Sequence, residues 1–236
     1  MKREMINALK NVYEAPSPLH KKEFIRKLEK PQLSTYSFML QQISYIRKRV
    51  WFVSVIVLVF AIFGTRYAKQ ESVWMLSSMM PFVALCAVTE NARSRTYGMA
   101  ELEMASKFSL KSIVQARIEI IGLVHFVVFG IVIPFVGRSS LVSFARTGLY
   151  LLVPYLLSST LGLWAVRKFQ DVEVTYVCMG TSAIVCLFNI ILKNMVSGYY
   201  EEQRFIWWLV AGIYLVFKTC SEYKKTMYQT EELIWN

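Results

Sequence analysis

Few side chains suited to chemistry lie within the long apolar runs of this sequence. Glu119, His125 and Asn189 each stand among aliphatic and aromatic residues. Ionisable and amide groups are costly at membrane depth unless they face a bundle interior or water, so they mark candidate functional positions. We expect Glu119 to pair with a cation from another span or subunit. His125 and Asn189 each have two interpretations, contact with a substrate or a hydrogen bond within the protein.

A group of methionines offers a second kind of candidate surface. Met75, Met79 and Met80 lie close together, near Phe82. Methionine side chains are flexible and polarisable, and they adapt to irregular apolar partners. This suits a path for an apolar substrate or a subunit interface, and ordinary packing also explains it. The hypothetical substrate path comprises Glu119, His125, Asn189 and Met79.

The sequence predicts no catalytic residue, no metal site and no enzyme activity. It lacks the GxxxxGK[ST], HExxH and GxSxG patterns, and its two histidines, His20 and His125, are far apart. The cysteines lie in or at the end of apolar runs without a CxxC pair, which is typical of small hydrophobic side chains rather than of disulfides or metal ligands. They are Cys86, Cys178, Cys186 and Cys220.

The composition indicates a membrane protein. Hydrophobic residues make up 55% of the 236 residues, and the mean hydropathy is +0.39. A soluble domain has a lower apolar share, so the bilayer is the matching solvent. The formal net charge of +11 does not indicate a nucleic-acid interface, because the basic residues flank the apolar runs instead of clustering on one soluble face.

Six apolar runs are long enough to be membrane spans. A helix rises 1.5 Å per residue and needs about 20 residues to cross the hydrocarbon core, with tilt and long basic side chains accommodating shorter runs. The fold class is therefore an all-α polytopic membrane protein. The predicted spans are Val50–Thr65, Val73–Thr89, Ser112–Val136, Thr147–Val166, Val174–Leu192 and Phe205–Cys220.

The distribution of basic residues predicts the orientation of these spans. With the N-terminus inside, the inner segments hold 21 Lys and Arg residues and the outer loops hold six. Basic residues near span ends are retained in the cytoplasm, so both termini are expected to be cytoplasmic. Tryptophans near the predicted span ends, including Trp164, Trp207 and Trp208, are expected to anchor the protein at the membrane interfaces.

The sequence predicts three segments. They are a basic N-terminal segment (1–49), the six-span domain (50–220) and a cytoplasmic tail (221–236). After Pro31, apolar residues at helical spacing predict an amphipathic helix in the inner headgroup layer, or else an extension of the first span. The stretch HKKEFIRKLEK predicts a strongly basic helix that binds either anionic lipid or a protein partner, and the sequence does not separate the two.

The loop between the second and third spans carries a recognisable pattern. It reads TENARSRTYGMAELEMASKFSLKSIVQAR, with Glu90 ending the second span and a short helix-forming stretch, MAELEMA, within the loop. This pattern resembles the membrane subunits of type-two ATP-binding-cassette transporters, which are mostly bacterial exporters. In that family a cytoplasmic amphipathic helix precedes six spans, and this loop carries a coupling helix.

The resemblance implies that a separate subunit supplies the energy for transport. A coupling helix would press into a separate ATPase subunit through the side chains of Glu101, Leu102, Met104, Ala105, Lys107 and Phe108. ATP and magnesium would be bound by that partner and no cofactor by this chain. A second permease subunit, identical or similar, would complete the translocation path in a bacterial cell membrane.

The function expected from the resemblance is export of an amphipathic or hydrophobic substrate, such as a peptide, a drug or a lipid-like compound, by ATP-driven alternating access. The alternative is a membrane-anchored regulatory or scaffold protein that binds a soluble partner through residues 1–49. An integral-membrane enzyme is a third possibility. Retention of function by the N-terminal segment alone would favour the scaffold.

Overall fold

A computed structural model describes residues 35–67, 72–96, 110–136, 141–169, 173–196, 199–200 and 202–232, and these are almost entirely helical. The chain forms two compact units, residues 1–38 and 39–236, and the account below concerns the second. The described helices are α1 Thr35–Tyr45, α2 Lys48–Tyr67, α3 Ser72–Thr96, α4 Leu110–Val136, α5 Leu141–Lys168, α6 Glu173–Met195 and α7 Phe205–Glu232. A 3₁₀ turn, Glu202–Arg204, leads into α7.

Five of the described helices are long and apolar enough to cross a membrane, which confirms a helical, multi-pass protein. They match five of the six predicted runs. The first predicted run, Val50–Thr65, lies within the 20-residue helix α2, and its crossing of the membrane stays a prediction. The five candidate spans are Val73–Arg93, Ser112–Val136, Phe144–Lys168, Glu173–Met195 and Phe205–Gln229.

Helices α3 and α5 form the centre of the bundle. Helix α3 packs against α2, α4, α5 and α6, and α5 packs against α3, α4, α6 and α7. Within the described ranges, the largest apolar cluster joins the four helices α2, α3, α4 and α5, through residues such as Val57, Met80, Val132 and Leu151. A small residue lets the two central helices approach closely, because a Cβ on Gly162 of α5 would lie 3.0 Å from both methyl carbons of Val88 on α3. Close approach at small residues is a general device for packing helices in lipid.

A hydroxyl network joins α3 to α5 and α6 beside Pro81. The hydroxyl of Ser158 on α5 donates to the Pro81 carbonyl oxygen at 3.2 Å, and it lies 3.0 Å from the hydroxyl of Ser182 on α6. These bonds tie three helices together where lipid offers no alternative hydrogen-bond partner.

Three predictions concern segments at the ends of the spans, and the observed helix ends can be compared with them. Helix α1 ends at Tyr45, within the predicted amphipathic stretch, and its location in the headgroup layer stays a prediction. The boundary predicted at residue 220 falls inside α7, which continues to Glu232. The predicted coupling residues, 101–108, lie outside the described residues.

Candidate functional site

A cavity of about 230 Å³ lies between α3, α4, α5 and α7. Apolar side chains supply most of its wall, including Val88 on α3 and Ile121 on α4. The polar contributions come from Asn91 on α3, Tyr155 and Ser159 on α5, and Thr219 and Tyr223 on α7. The cavity is therefore a largely apolar chamber with a few hydrogen-bonding groups, which is the usual character of a small-molecule site.

The histidine predicted from the sequence lies one residue behind the cavity wall. His125 is 2% exposed, and its Nδ1 lies 3.0 Å from the hydroxyl oxygen of Tyr155, which does line the cavity. The two rings meet edge to face with centroids 5.7 Å apart. The Nε2 atom is buried and has no hydrogen-bond partner within the described part of the chain. His125 therefore orients Tyr155, and its contact with a substrate stays a prediction.

Glu119 does not line this cavity. It lies on an exposed face of α4, and one of its carboxylate oxygens accepts a hydrogen bond from the amide of Gln115, one turn earlier, at 2.8 Å. A carboxylate on the outside of a candidate span is costly against lipid, which favours a protein neighbour on this face. The pairing with a cation from another span or subunit remains a prediction.

Asn189 belongs to a hydrogen-bonded network away from the cavity. Its Nδ2 donates to the hydroxyl of Ser77 at 2.9 Å, and its Oδ1 accepts from the hydroxyl of Tyr200 at 2.9 Å. Ser77 in turn donates to the backbone carbonyl of Tyr150 at 2.8 Å. The side chain thus links α3, α5, α6 and the connection to α7. Met79 is partly exposed on α3, and it too is absent from the cavity wall.

Aromatic rings enclose this network. The rings of Tyr150, Tyr199, Tyr200 and Trp208 pack against one another with centroids 5.0 to 5.6 Å apart. The indole N–H of Trp208 donates to the carbonyl oxygen of Tyr199 at 3.1 Å. Burial raises the pKa of Tyr200 to about 12, so its hydroxyl stays protonated and can donate.

The prediction that Trp208 anchors the protein at a membrane interface is wrong, because Trp208 is buried, whereas Trp207 is exposed.

A buried carboxylate, Glu90, organises charges near the end of α3. Its side chain lies 3.5 Å from Arg47, between α1 and α2, and 3.8 Å from Arg93. The positive charge of Arg117 on α4 also acts on it. Arg93 further donates to the backbone carbonyl of Tyr45 at 2.9 Å. These residues, the Glu90 cluster, join the first two helices to α3 and α4, directly before the undescribed stretch 97–109.

A second buried carboxylate joins the ends of α5 and α7. Glu222 is 2.8 Å from Arg167 and 3.2 Å from Lys225. We call these three residues the Glu222 cluster. The spacing of three residues between Glu222 and Lys225 is a helical signal visible in sequence. Arg167 is 55 positions from Glu222, so only the fold brings them together.

Sequence reasoning missed the residues that form the cavity. A signal was present on α5, where the polar residues Tyr155 and Ser159 are four positions apart within an apolar run. The predicted path residues do not converge, because His125 lies behind the wall, Glu119 faces outward and Asn189 lies elsewhere. Within the described ranges, no three His, Cys, Asp or Glu side chains lie close enough to hold a metal ion.

Comparisons with known proteins add no assignment to this geometry. No family model, no curated protein and no solved structure matches the chain.

Proposed function

We propose that the chain is the six-span permease subunit of an ATP-binding-cassette transporter, moving an amphipathic or hydrophobic substrate across a bacterial cell membrane with both termini cytoplasmic. One observation carries the proposal. Two of the four walls of the cavity are α3 and α4, the helices on either side of the stretch that resembles a coupling segment. A force applied to that segment would therefore reach two walls of the cavity.

The described contacts supply a route for such a force. Helix α3 ends at Thr96 and α4 begins at Leu110, and the Glu90 cluster lies just before that gap. Rigid helices transmit displacement when they have two packed arrangements, so movement of 97–109 would shift the walls that carry Asn91 and Ile121. A partner ATPase that closes on this segment would couple nucleotide binding to access from the cytoplasm.

Cavity size favours a second permease subunit. Small-molecule sites usually span about 300–1,000 Å³, and the cavity between α3, α4, α5 and α7 has about 230 Å³. One chain therefore encloses only part of a path for a peptide or lipid-like substrate. The exposed Gln115 and Glu119 pair on α4 favours this face as the neighbour's side, because polar groups are costly against lipid.

Co-purification with an ATPase tests the proposal. The full chain, purified in mild detergent from its native cells, is expected to carry an ATPase subunit. Glu101→Arg reverses a charge and Phe108→Arg puts a charge in place of an apolar ring, so each should disrupt a packed contact. The co-purified ATPase activity should fall by about tenfold, which corresponds to about 1.4 kcal/mol of association free energy, with unchanged insertion. Glu173→Arg is the matched control, since Glu173 is an exposed acidic residue at the start of α6, on the same predicted side.

Two results would overturn the proposal. One is a purified chain without any ATPase, and the other is a Glu101→Arg variant that behaves like Glu173→Arg. Capture of a soluble partner by residues 1–49 alone would favour the scaffold function instead.

A further inference from the structure

A cationic concavity lies where α5 and α7 end, separate from the apolar cavity. Its volume is about 460 Å³, and its lining consists of Arg167, Lys224, Lys225, Tyr228 and Gln229. Three of these five residues are basic and none is acidic. Such a lining suits an anionic ligand of about the size of a phosphate-bearing headgroup.

The cationic groups are partly held in position before any ligand arrives. Glu222 is buried and lies 2.8 Å from Arg167 and 3.2 Å from Lys225. One carboxylate shared by two cations leaves a positive charge in excess, and Lys224 adds another on the exposed side. Because Arg167 and Lys225 are already oriented, binding an anion would cost less side-chain entropy than at mobile surface lysines.

The concavity lies where two candidate spans, Phe144–Lys168 and Phe205–Gln229, end, which is where phospholipid headgroups are expected. Arg167 follows directly on the apolar part of α5, and Trp164, one turn earlier, is 40% exposed. The ammonium group of Lys168 lies 5.1 Å from the centre of the Trp164 ring. A Trp with adjacent basic residues at the end of a span is typical of the membrane–water interface. This is also the side predicted to be cytoplasmic, where anionic lipids concentrate.

We propose that this concavity binds the phosphate of an anionic phospholipid headgroup. The guanidinium of Arg167 and the ammonium groups of Lys224 and Lys225 would contact the phosphate oxygens, with the hydroxyl of Tyr228 as a neutral donor. A soluble phosphate shares the charge but lacks acyl chains to lie along α5 and α7, so a lipid is the favoured source. The inference requires the membrane placement of the bundle and is independent of the transport function.

Lipid counting by native mass spectrometry tests the inference. The full chain in neutral detergent is titrated with phosphatidylglycerol and, separately, with phosphatidylcholine. Preferential binding of phosphatidylglycerol is expected. A lysine near an anionic lipid contributes about fivefold in affinity, so Lys224→Gln should weaken binding by about that factor and Lys224→Gln with Lys225→Gln by more. Lys218→Gln is the matched control, because Lys218 is an exposed lysine of α7 outside the concavity.

Each alternative outcome contradicts the inference. Equal binding of the two lipids, or unchanged binding in the Lys224→Gln variant, would show that the concavity is not a headgroup site. An equal loss in Lys218→Gln would indicate general surface charge. Displacement of the lipid by excess inorganic phosphate would assign the site to a soluble anion. Lys224 is exposed, so the single variant keeps the test valid if the double variant unfolds.

Discussion

Two polar networks at opposite ends of the helical bundle use different chemistry. At the neutral end, Ser77, Tyr150, Asn189 and Tyr200 form direct hydrogen bonds between uncharged groups beside Trp208. At the charged end, the Glu90 and Glu222 clusters join helices through ion pairs at 2.8 to 3.8 Å. The apolar cavity reaches Asn91, one position beyond Glu90, and the cationic concavity lies beside the Glu222 cluster. The apolar cavity and the cationic concavity therefore both reach the charged end.

The type of bond at each end indicates which end can move. Hydrogen bonds between buried neutral groups require narrow geometry, and breaking one strands a polar group in an apolar environment. Ion pairs act over longer distances and less directionally, and the arginines at Glu90 are 32% and 23% exposed, so water can replace part of their contacts. We therefore expect the neutral end to act as a fixed clamp and the charged end to open and close.

The largest effect is expected from Glu90→Ala. Removing this carboxylate leaves Arg47, Arg93 and Arg117 close together without their shared acidic group. The free energy of unfolding should fall by about 3 kcal/mol, the lower part of the range for breaking a buried pair, because two of the arginines are partly exposed. Denaturant unfolding in detergent measures it. Lys218→Ala is the control and should change stability by less than about 0.5 kcal/mol, since Lys218 is an exposed charged residue of α7.

A smaller effect is expected at the neutral end. Asn189→Ala removes two hydrogen bonds and leaves the Ser77 and Tyr200 hydroxyls without this amide. The loss should be about 2 kcal/mol, within the range for stranded polar groups. Thermal unfolding followed by circular dichroism measures it. Asn194→Ala, at an exposed position of the same helix, should match the wild type, and an equal loss in both variants would refute the clamp.

The smallest effect concerns the packing of α3 against α5 near the charged end. Gly162→Ala places a methyl group 3.0 Å from two carbons of Val88, which forces α3 and α5 apart. The expected loss is about 1 kcal/mol from overpacking. Gly180→Ala is the control, because a Cβ there meets nothing within 4 Å, and its higher helix propensity should leave stability unchanged or slightly raised. If Gly162→Ala leaves the stability unchanged, α3 and α5 are not closely packed at this crossing.

The sequence predicts the helices well because their signal is local. Five apolar runs correspond to five described candidate spans, since length and hydropathy depend only on neighbouring residues. The partners of polar side chains are not local. Asn189 meets Ser77 across 112 positions, and Arg167 meets Glu222 across 55, so their roles require the fold. The sequence therefore leaves Asn189 with two interpretations, a substrate path or a hydrogen bond within the protein, and its described contacts are of the second kind.

Distances between spin labels at the two ends test the central claim most directly. One pair uses native Cys220 on α7 with Ser112→Cys on α4 at the charged end, and the other uses Phe135→Cys with Ile206→Cys at the neutral end. All four positions are exposed, and Ser replaces the cysteines not used in each pair. Double electron–electron resonance in lipid nanodiscs measures both distances, once in the wild-type background and once with Glu90→Gln. We predict a longer or broader charged-end distance in the variant and an unchanged neutral-end distance. A shift confined to the neutral end, or no shift at either end, would contradict the account.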